Sequence, residues 1–306
     1  MTTKAQVINF QDKLQRVGVS SVTKMLMGIF AAVPIALSLP AEALEVQILP
    51  EKVQLGDTIS VLIEPESGEQ RGIPTVTVGE QTYPAFEIAP NKYRAFIPTT
   101  PLEEPGVRQV TVSGEGQRQR NLAVYVGDRK FPIQRINLPP GKAGVKATEY
   151  ELERVKEFKA LQTPDKYWDG VFLRPNQGRM TTTYGVRRYY NGNFANDYYH
   201  RGLDYAGAAG SDVVAPAAGR VALVGTVSQG FIVHGNVVGI DHGQGVTSIF
   251  MHLSRINVKE GDMVKAGQLI GAVGSTGAST GPHLHWGLYV NGKSIDPSSW
   301  KTKIID

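Results

Sequence analysis

Glycine and proline interrupt this chain too often for a helical bundle. There are 34 glycines and 18 prolines in 306 residues, and both favour turns and strand ends over helix interiors. The segments between them are short, and several have a period of two. Ile59, Val61 and Ile63 recur at every second position, as do Leu122, Val124 and Val126. That spacing buries one face of a strand and wets the other. Turn residues separate such runs at Glu66-Ser67-Gly68 and Ser113-Gly114-Glu115-Gly116. Residues 44–136 therefore read as a β-sandwich-like accessory domain. Residues 137–169 read as a linker, Leu138-Pro139-Pro140-Gly141, followed by one bracing helix. Thr148 and Glu151 have the spacing of a capping box there. Leu152, Val155, Phe158 and Leu161 give a helical stripe, and Pro164 ends it. Residues 170–306 return to glycine-punctuated strands at 221–224, 237–240, 249–253, 269–273 and 285–290. Residues 214–221 and 264–271 resemble each other loosely, as an internally duplicated antiparallel sheet would. The expected fold class is mainly β.

The N-terminus reads differently. Lys4, Lys13, Arg16 and Lys24 precede an apolar run from Met25 to Leu39, and Ala41-Glu42-Ala43 follows. A basic start, a short apolar stretch and a small-residue exit are the pattern of a secretory signal peptide, here residues 1–43. The alternative is an uncleaved N-terminal anchor, but the run is shorter than the roughly 20 residues a spanning helix needs. Either reading exports the rest of the chain, and no later segment is apolar enough to span a membrane. Net charge is +4, of which the first 43 residues carry +2 (four basic, two acidic). The remaining +2 is too weak to argue for nucleic acid. Without cysteine, disulfides and thiolate metal sites are excluded.

All six histidines lie between His200 and His285. In His283-Leu284-His285, residues i and i+2 of a strand share a face. Alone, this could be two polar residues beside a turn. In His200-Arg201-Gly202-Leu203-Asp204, a His and an Asp four apart can converge on one ion, or can be a surface His and a turn cap. Combined, the two segments supply imidazole nitrogens and a carboxylate, the donor set of a three-ligand zinc site with a fourth position open. His252, in the apolar run Phe250-Met251-His252-Leu253, is costly there unless it is hydrogen-bonded or used. His242 reads as a turn residue beside Gly243, and His234 as a surface loop residue. The stretch from Tyr189 to Tyr199, rich in Tyr and Asn, could line a substrate groove or be a polar surface loop. Ser275 and Ser279 flank the His-x-His run without the strand–turn–helix elbow of a serine hydrolase. A carrier module would need a lysine or histidine on an exposed hairpin, and none stands out.

From about Thr182 to Pro297 the chain resembles the LytM/lysostaphin-type zinc endopeptidases, whose fold is the duplicated hybrid motif. The resemblance rests on Tyr184-Gly185-Val186-Arg187, His200 to Asp204, Val214-Ala215-Pro216 with Gly219, Asp241-His242-Gly243, and Phe250 to Leu253. The run from Gly274 to His285 is the most specific part, and Asn291-Gly292 and Asp296-Pro297 close the pattern. It implies zinc ligands at His200, Asp204 and His285, and non-ligand catalytic histidines at His252 and His283. The implied activity is hydrolysis of peptide cross-links in bacterial peptidoglycan, with water activated by Zn2+ and assisted by the two histidines. An exported, periplasmic or cell-envelope metalloendopeptidase is expected, with peptidoglycan peptides as its partners. Phe250 replaces the usual Tyr, and Trp286-Gly287 the common Phe-Glu; neither change removes a ligand. The alternative within the family is a catalytically silent activator of other wall hydrolases. Such members usually lose ligands, and this chain keeps all five residues. The bond cut, and whether the N-terminal domain blocks or guides the groove, stay open.

Overall fold

The computed structural model describes residues 42–65, 71–115, 117–137, 145–303 and 305. The segment read as a signal peptide, up to residue 41, lies outside the described residues, as does the Leu138–Gly141 linker.

The alternating segments of the first half form two five-stranded sheets. One is built around strands Thr58–Pro65, Glu42–Leu49 and Lys92–Pro98, the other around Gly106–Glu115, Arg120–Gly127 and Arg71–Val78. Ile59, Val61 and Ile63 from the first sheet meet Val110, Val112, Val124 and Val126 from the second in one buried cluster. Residues at every second position therefore face each other across the sandwich, as their spacing requires.

The second half is organised by an eight-stranded sheet. Its centre is antiparallel, in the order Leu203–Ala206, Leu284–Val290, Val246–Leu253, Asn236–Gly243 and Gly219–Gly225. Three of these strands are buried almost throughout, with Asp241, His242, Thr247 and Ser248 buried among their apolar residues. Two three-stranded sheets flank them, one of which pairs Ile133–Ile136 with Arg187–Tyr190.

The helix spans Glu149–Lys159 and ends well before Pro164. Thr148 caps it, accepting from the Glu151 amide at 3.0 Å. Val155 and Phe158 are buried, but Leu152 is 57% exposed, so the expected stripe is narrower than it looked. A second helix, Pro297–Thr302, is capped by Asp296 with proline at its first position, as helix starts prefer. Its Trp300 packs 5.7 Å from Phe96 of the sandwich and 5.2 Å from Phe172. Arg94 of the sandwich donates to the Gln244 side chain at 2.7 Å, and the Gly56 carbonyl accepts from the Asp296 amide at 2.8 Å. The two halves thus share packed apolar surface and hydrogen bonds.

His242 is not a turn residue. It sits fully buried on strand Asn236–Gly243. Its Nδ1 donates to the Ala218 carbonyl at 2.8 Å, its Nε2 lies 2.8 Å from Ser248 Oγ, and its ring packs 4.9 Å from Phe172. Burial pushes its pKa down to about 4, only partly offset by the Ala218 bond. Below about pH 6.5 the unfolded chain binds a proton here that the fold resists. Stability should therefore fall as pH drops from about 6.5 towards 4, by on the order of 3 kcal/mol for a shift of this size. Melting temperatures of wild type and His242→Gln between pH 7 and pH 4 check this: the variant should show a clearly shallower decline.

Candidate metal and catalytic site

Strand register builds the site. Asp204 lies directly opposite His285, and His285 directly opposite Met251 on its other side. Directly paired residues share a face with Cβ atoms about 5 Å apart, so Asp204 and His285 point into the same groove. His200 comes from the turn before strand Leu203–Ala206. The Tyr184–Arg187 motif holds it there: Gly185 N–H donates to the His200 carbonyl, and His200 N–H to the Val186 carbonyl, both at 2.9 Å. Between His200 and Asp204, Gly202 leaves no room for a side chain, since a Cβ there would stand 2.2 Å from the Trp286 carbonyl oxygen and 2.9 Å from His285 Nε2.

The three donor atoms converge. His200 Nε2 is 3.0 Å from Asp204 Oδ1 and 3.1 Å from His285 Nδ1, and His285 Nδ1 is 2.9 Å from Asp204 Oδ1. Donors around a tetrahedral zinc with bonds of 2.0–2.1 Å stand about 3.3 Å apart, so the spacing and the two-nitrogen, one-oxygen chemistry fit such an ion. His200 Nδ1 donates to the Thr183 carbonyl at 2.9 Å, which fixes the tautomer and leaves Nε2 free to ligate. Burial alone would raise the Asp204 pKa. Hydrogen bonds from His200 and His285, and their charge, hold it instead far below the usual carboxylate range. Burial pushes His285 down to about 4 against the opposing pull of Asp204. Asp204 and His285 thus favour the deprotonated forms a cation needs.

His252 and His283 join this set, their rings 4.8 Å apart. In a regular pleat, the residue after Met251 would point away from the groove. His252 instead has φ +65°, a left-handed conformation that is strained for a non-glycine residue, and its ring lines the same groove as Met251. Its Nδ1 donates to the Thr276 carbonyl at 2.9 Å, and His283 Nδ1 donates to the Gly281 carbonyl at 2.9 Å. A carbonyl can only accept, so both rings keep Nε2 as the free nitrogen. Burial, then the neighbouring His283 and His285, push His252 down to about 3. His283 stands just outside strand Leu284–Val290, held by a bridge to Gly274.

These residues line a groove of about 800 Å3, with Tyr190, Tyr198 and Tyr199 on one wall. The Tyr-rich stretch is therefore groove wall in part. No described residue of the sandwich strands lines it.

The helix contributes as well, through a residue that sequence reasoning assigned only to capping. The Glu151 side chain is fully buried. Its carboxylate accepts from the amides of Ile232 and Val233 at 3.1 Å and of His234 at 2.6 Å, and from His234 Nδ1 at 2.6 Å. His234 is accordingly a half-buried groove residue held by Glu151. The loop so clasped passes support onward: the His234 carbonyl accepts from His252 N–H, and the Val233 carbonyl from Ala278 N–H, both at 3.0 Å.

The chain is similar to known proteins over this part. The model of Peptidase family M23 matches residues 198–297. Residues 198–297 thus carry a domain of peptidase family M23. The DD-carboxypeptidase/endopeptidase Mpg of Neisseria meningitidis is 43% identical over 100 residues, 33% of this chain and 22% of that protein. Lysostaphin of Staphylococcus staphylolyticus is 44% identical over 97 residues, covering 31% and 20%. The murein hydrolase activator NlpD of Escherichia coli is 34% identical over 123 residues, covering 40% and 29%. The chain thus spans less than a third of these relatives' lengths. A solved structure from Pseudomonas aeruginosa assigned to peptidase M23 matches at a TM-score of 0.61 and 26% identity. That match covers 83% of this chain and 96% of the other, so the likeness extends into the sandwich.

Glu151→Ala should destabilise the fold by on the order of 1–3 kcal/mol, because it removes the buried acceptor of the donors on residues 232–234. The Glu151 carboxylate is itself held below its usual pKa: burial raises it, and the bonds from His234 and Val233 more than reverse this. Its contribution is therefore complete above about pH 4.5 and is lost only as pH falls through the lower folded value. Hydrogen exchange at neutral pH checks the local effect: amides 232–234 should lose protection in Glu151→Ala before the sandwich strands do.

Proposed function

We propose that the chain is an exported zinc endopeptidase that hydrolyses peptide cross-links of bacterial peptidoglycan. The observation that carries this reading is the convergence of His200, Asp204 and His285 beside two histidines whose free Nε2 atoms face the same groove. Three protein ligands with a fourth position open suit a catalytic ion better than a structural one.

His200 Nε2, Asp204 Oδ1 and His285 Nδ1 would hold the ion. When bound, Zn2+ supplies a Lewis acid that polarises a carbonyl and lowers the pKa of water towards about 7. The remaining chemistry falls to the protein. His252, kept neutral by burial, offers Nε2 as acceptor for the proton of the attacking water. The Thr276 carbonyl then steadies the imidazolium through Nδ1, and the proton is available for the leaving amine. His283, more exposed with 21% of its side chain accessible, would donate to the oxyanion that develops on the scissile carbonyl in its doubly protonated form, with Nδ1–H on the Gly281 carbonyl and Nε2–H facing the groove. The tyrosines of the wall orient the peptide.

Similarity to the activator NlpD favours a second reading, a non-enzymatic activator of other wall hydrolases. The complete donor set and the two oriented histidines speak for the enzyme. Zinc content and muropeptide release from purified sacculi separate the two. Wild type should hold about one zinc per chain and release peptides. His285→Ala should lose both properties. His283→Ala should keep its metal and slow by about 10²- to 10⁴-fold. A wild-type protein that binds zinc and cuts nothing would transfer the conclusion to the activator.

A further inference from the structure

Three cations line the groove: Lys159, Arg188 and Arg201. Among the described residues, its lining holds a single carboxylate, Asp204, which belongs to the metal set. A bound divalent cation would make the imbalance larger.

Each cation rests on neutral partners. Arg188 donates through Nε to Gln134 Oε1 at 3.0 Å, and through Nη1 to Tyr198 Oη at 2.7 Å and Tyr190 Oη at 3.4 Å. Arg201 lies over the Tyr199 ring at 4.9 Å and the Tyr198 ring at 5.8 Å. Lys159 Nζ lies over the Tyr289 ring at 4.5 Å. Phenols, a carboxamide and ring faces hold these groups in place without neutralising them. Arg188 comes from strand Arg187–Tyr190, pinned beside Ile133–Ile136 by their parallel pairing, so its guanidinium is positioned in advance. Among the described residues, no hydrogen bond from its Nη2 accompanies those of Nε and Nη1. Among the described residues these half-buried cations have no directly bonded carboxylate, so they attract an anion, and a fixed guanidinium fits a carboxylate best.

We propose, building on the peptidase reading above, that Arg188 and Arg201 form a carboxylate-reading subsite. The groove then selects an acidic stem peptide, one with a free carboxylate beside the bond to be cut, over a neutral glycine bridge. The tyrosines act twice, bracing the guanidiniums and lining the peptide's path. Lys159 adds long-range attraction at the groove's edge.

The test uses full-length, zinc-loaded protein and two synthetic cross-linked stem peptides that differ at one group, a free carboxylate or its carboxamide next to the scissile bond. The acid form should be cleaved with a kcat/KM about 10-fold or more above the amide's. Arg188→Gln should bring the acid-to-amide ratio close to 1 with zinc content retained, and Arg188→Lys should restore part of it. Should Arg188→Gln not fold, the wild-type ratio still reads the interaction, because it should shrink as salt rises from 0.05 to 0.5 M, concentrations chosen to span strong screening. Equal cleavage of acid and amide, or a ratio that survives in Arg188→Gln, overturns the proposal and leaves the peptidase reading intact. If wild type cuts neither peptide, the peptidase reading fails, and fluorescence anisotropy with the same labelled peptides decides the subsite: tighter binding of the acid supports it, and equal binding overturns it.

Discussion

The registers of three neighbouring strands are the constraint on which the rest of the site depends. Asp204 opposite His285, and His285 opposite Met251, put a carboxylate and an imidazole on one face without help from a loop. A one-residue slip in either pairing would turn Asp204 or His285 towards the other face. The sequence guards against slippage on both sides. Leu203, Leu284 and Trp286 are fully buried between the site residues, so a slip would expose them and bury polar groups instead. Rigid strands hold donor atoms more precisely than loops do, and only His200 needs outside support, from the Tyr184–Arg187 backbone and the tight space at Gly202.

Support for the two remaining histidines comes from further away. His252 depends on a strained backbone, and its N–H is received by the His234 carbonyl. That loop is held in turn by Glu151, on the helix that follows the sandwich. Trp300 and Arg94 tie the sandwich itself to the core beneath the groove. The sandwich sheets thus reach the chemistry through packing, while Gln134 and Ile136 at the end of that half line the groove and Glu151 on the following helix supports it.

Much of this was legible in the residues, for a physical reason. His283-Leu284-His285 and His200 to Asp204 are local patterns, whose spacing marks each pair before any long-range contact is known. Strand positions in the second half followed from apolar runs and glycine breaks. Contacts at long range were not legible. His242 beside Gly243 looked like a turn, because nothing nearby announces Ala218 and Ser248 as its partners. Glu151 already had a sufficient local explanation in the capping box, which hid its contacts some 80 residues away. Helix Pro297–Thr302 is too short to show a period, although Asp296-Pro297 carried its start signal. Arg188 gave no signal at all: only the fold shows that its partners are uncharged and that it faces the groove. The assignment of ligand against catalyst within His-x-His came through family resemblance, since spacing treats both histidines alike.

The most direct test of the account is X-ray absorption at the zinc edge on metal-reconstituted wild type. The account predicts a first shell of about four light atoms at 2.0–2.1 Å, with multiple scattering from two imidazoles, unchanged in a His252→Ala, His283→Ala double variant. A shell with three or four imidazoles, or one that changes in the double variant, would place His252 or His283 on the metal and contradict the division of roles on which the mechanism rests.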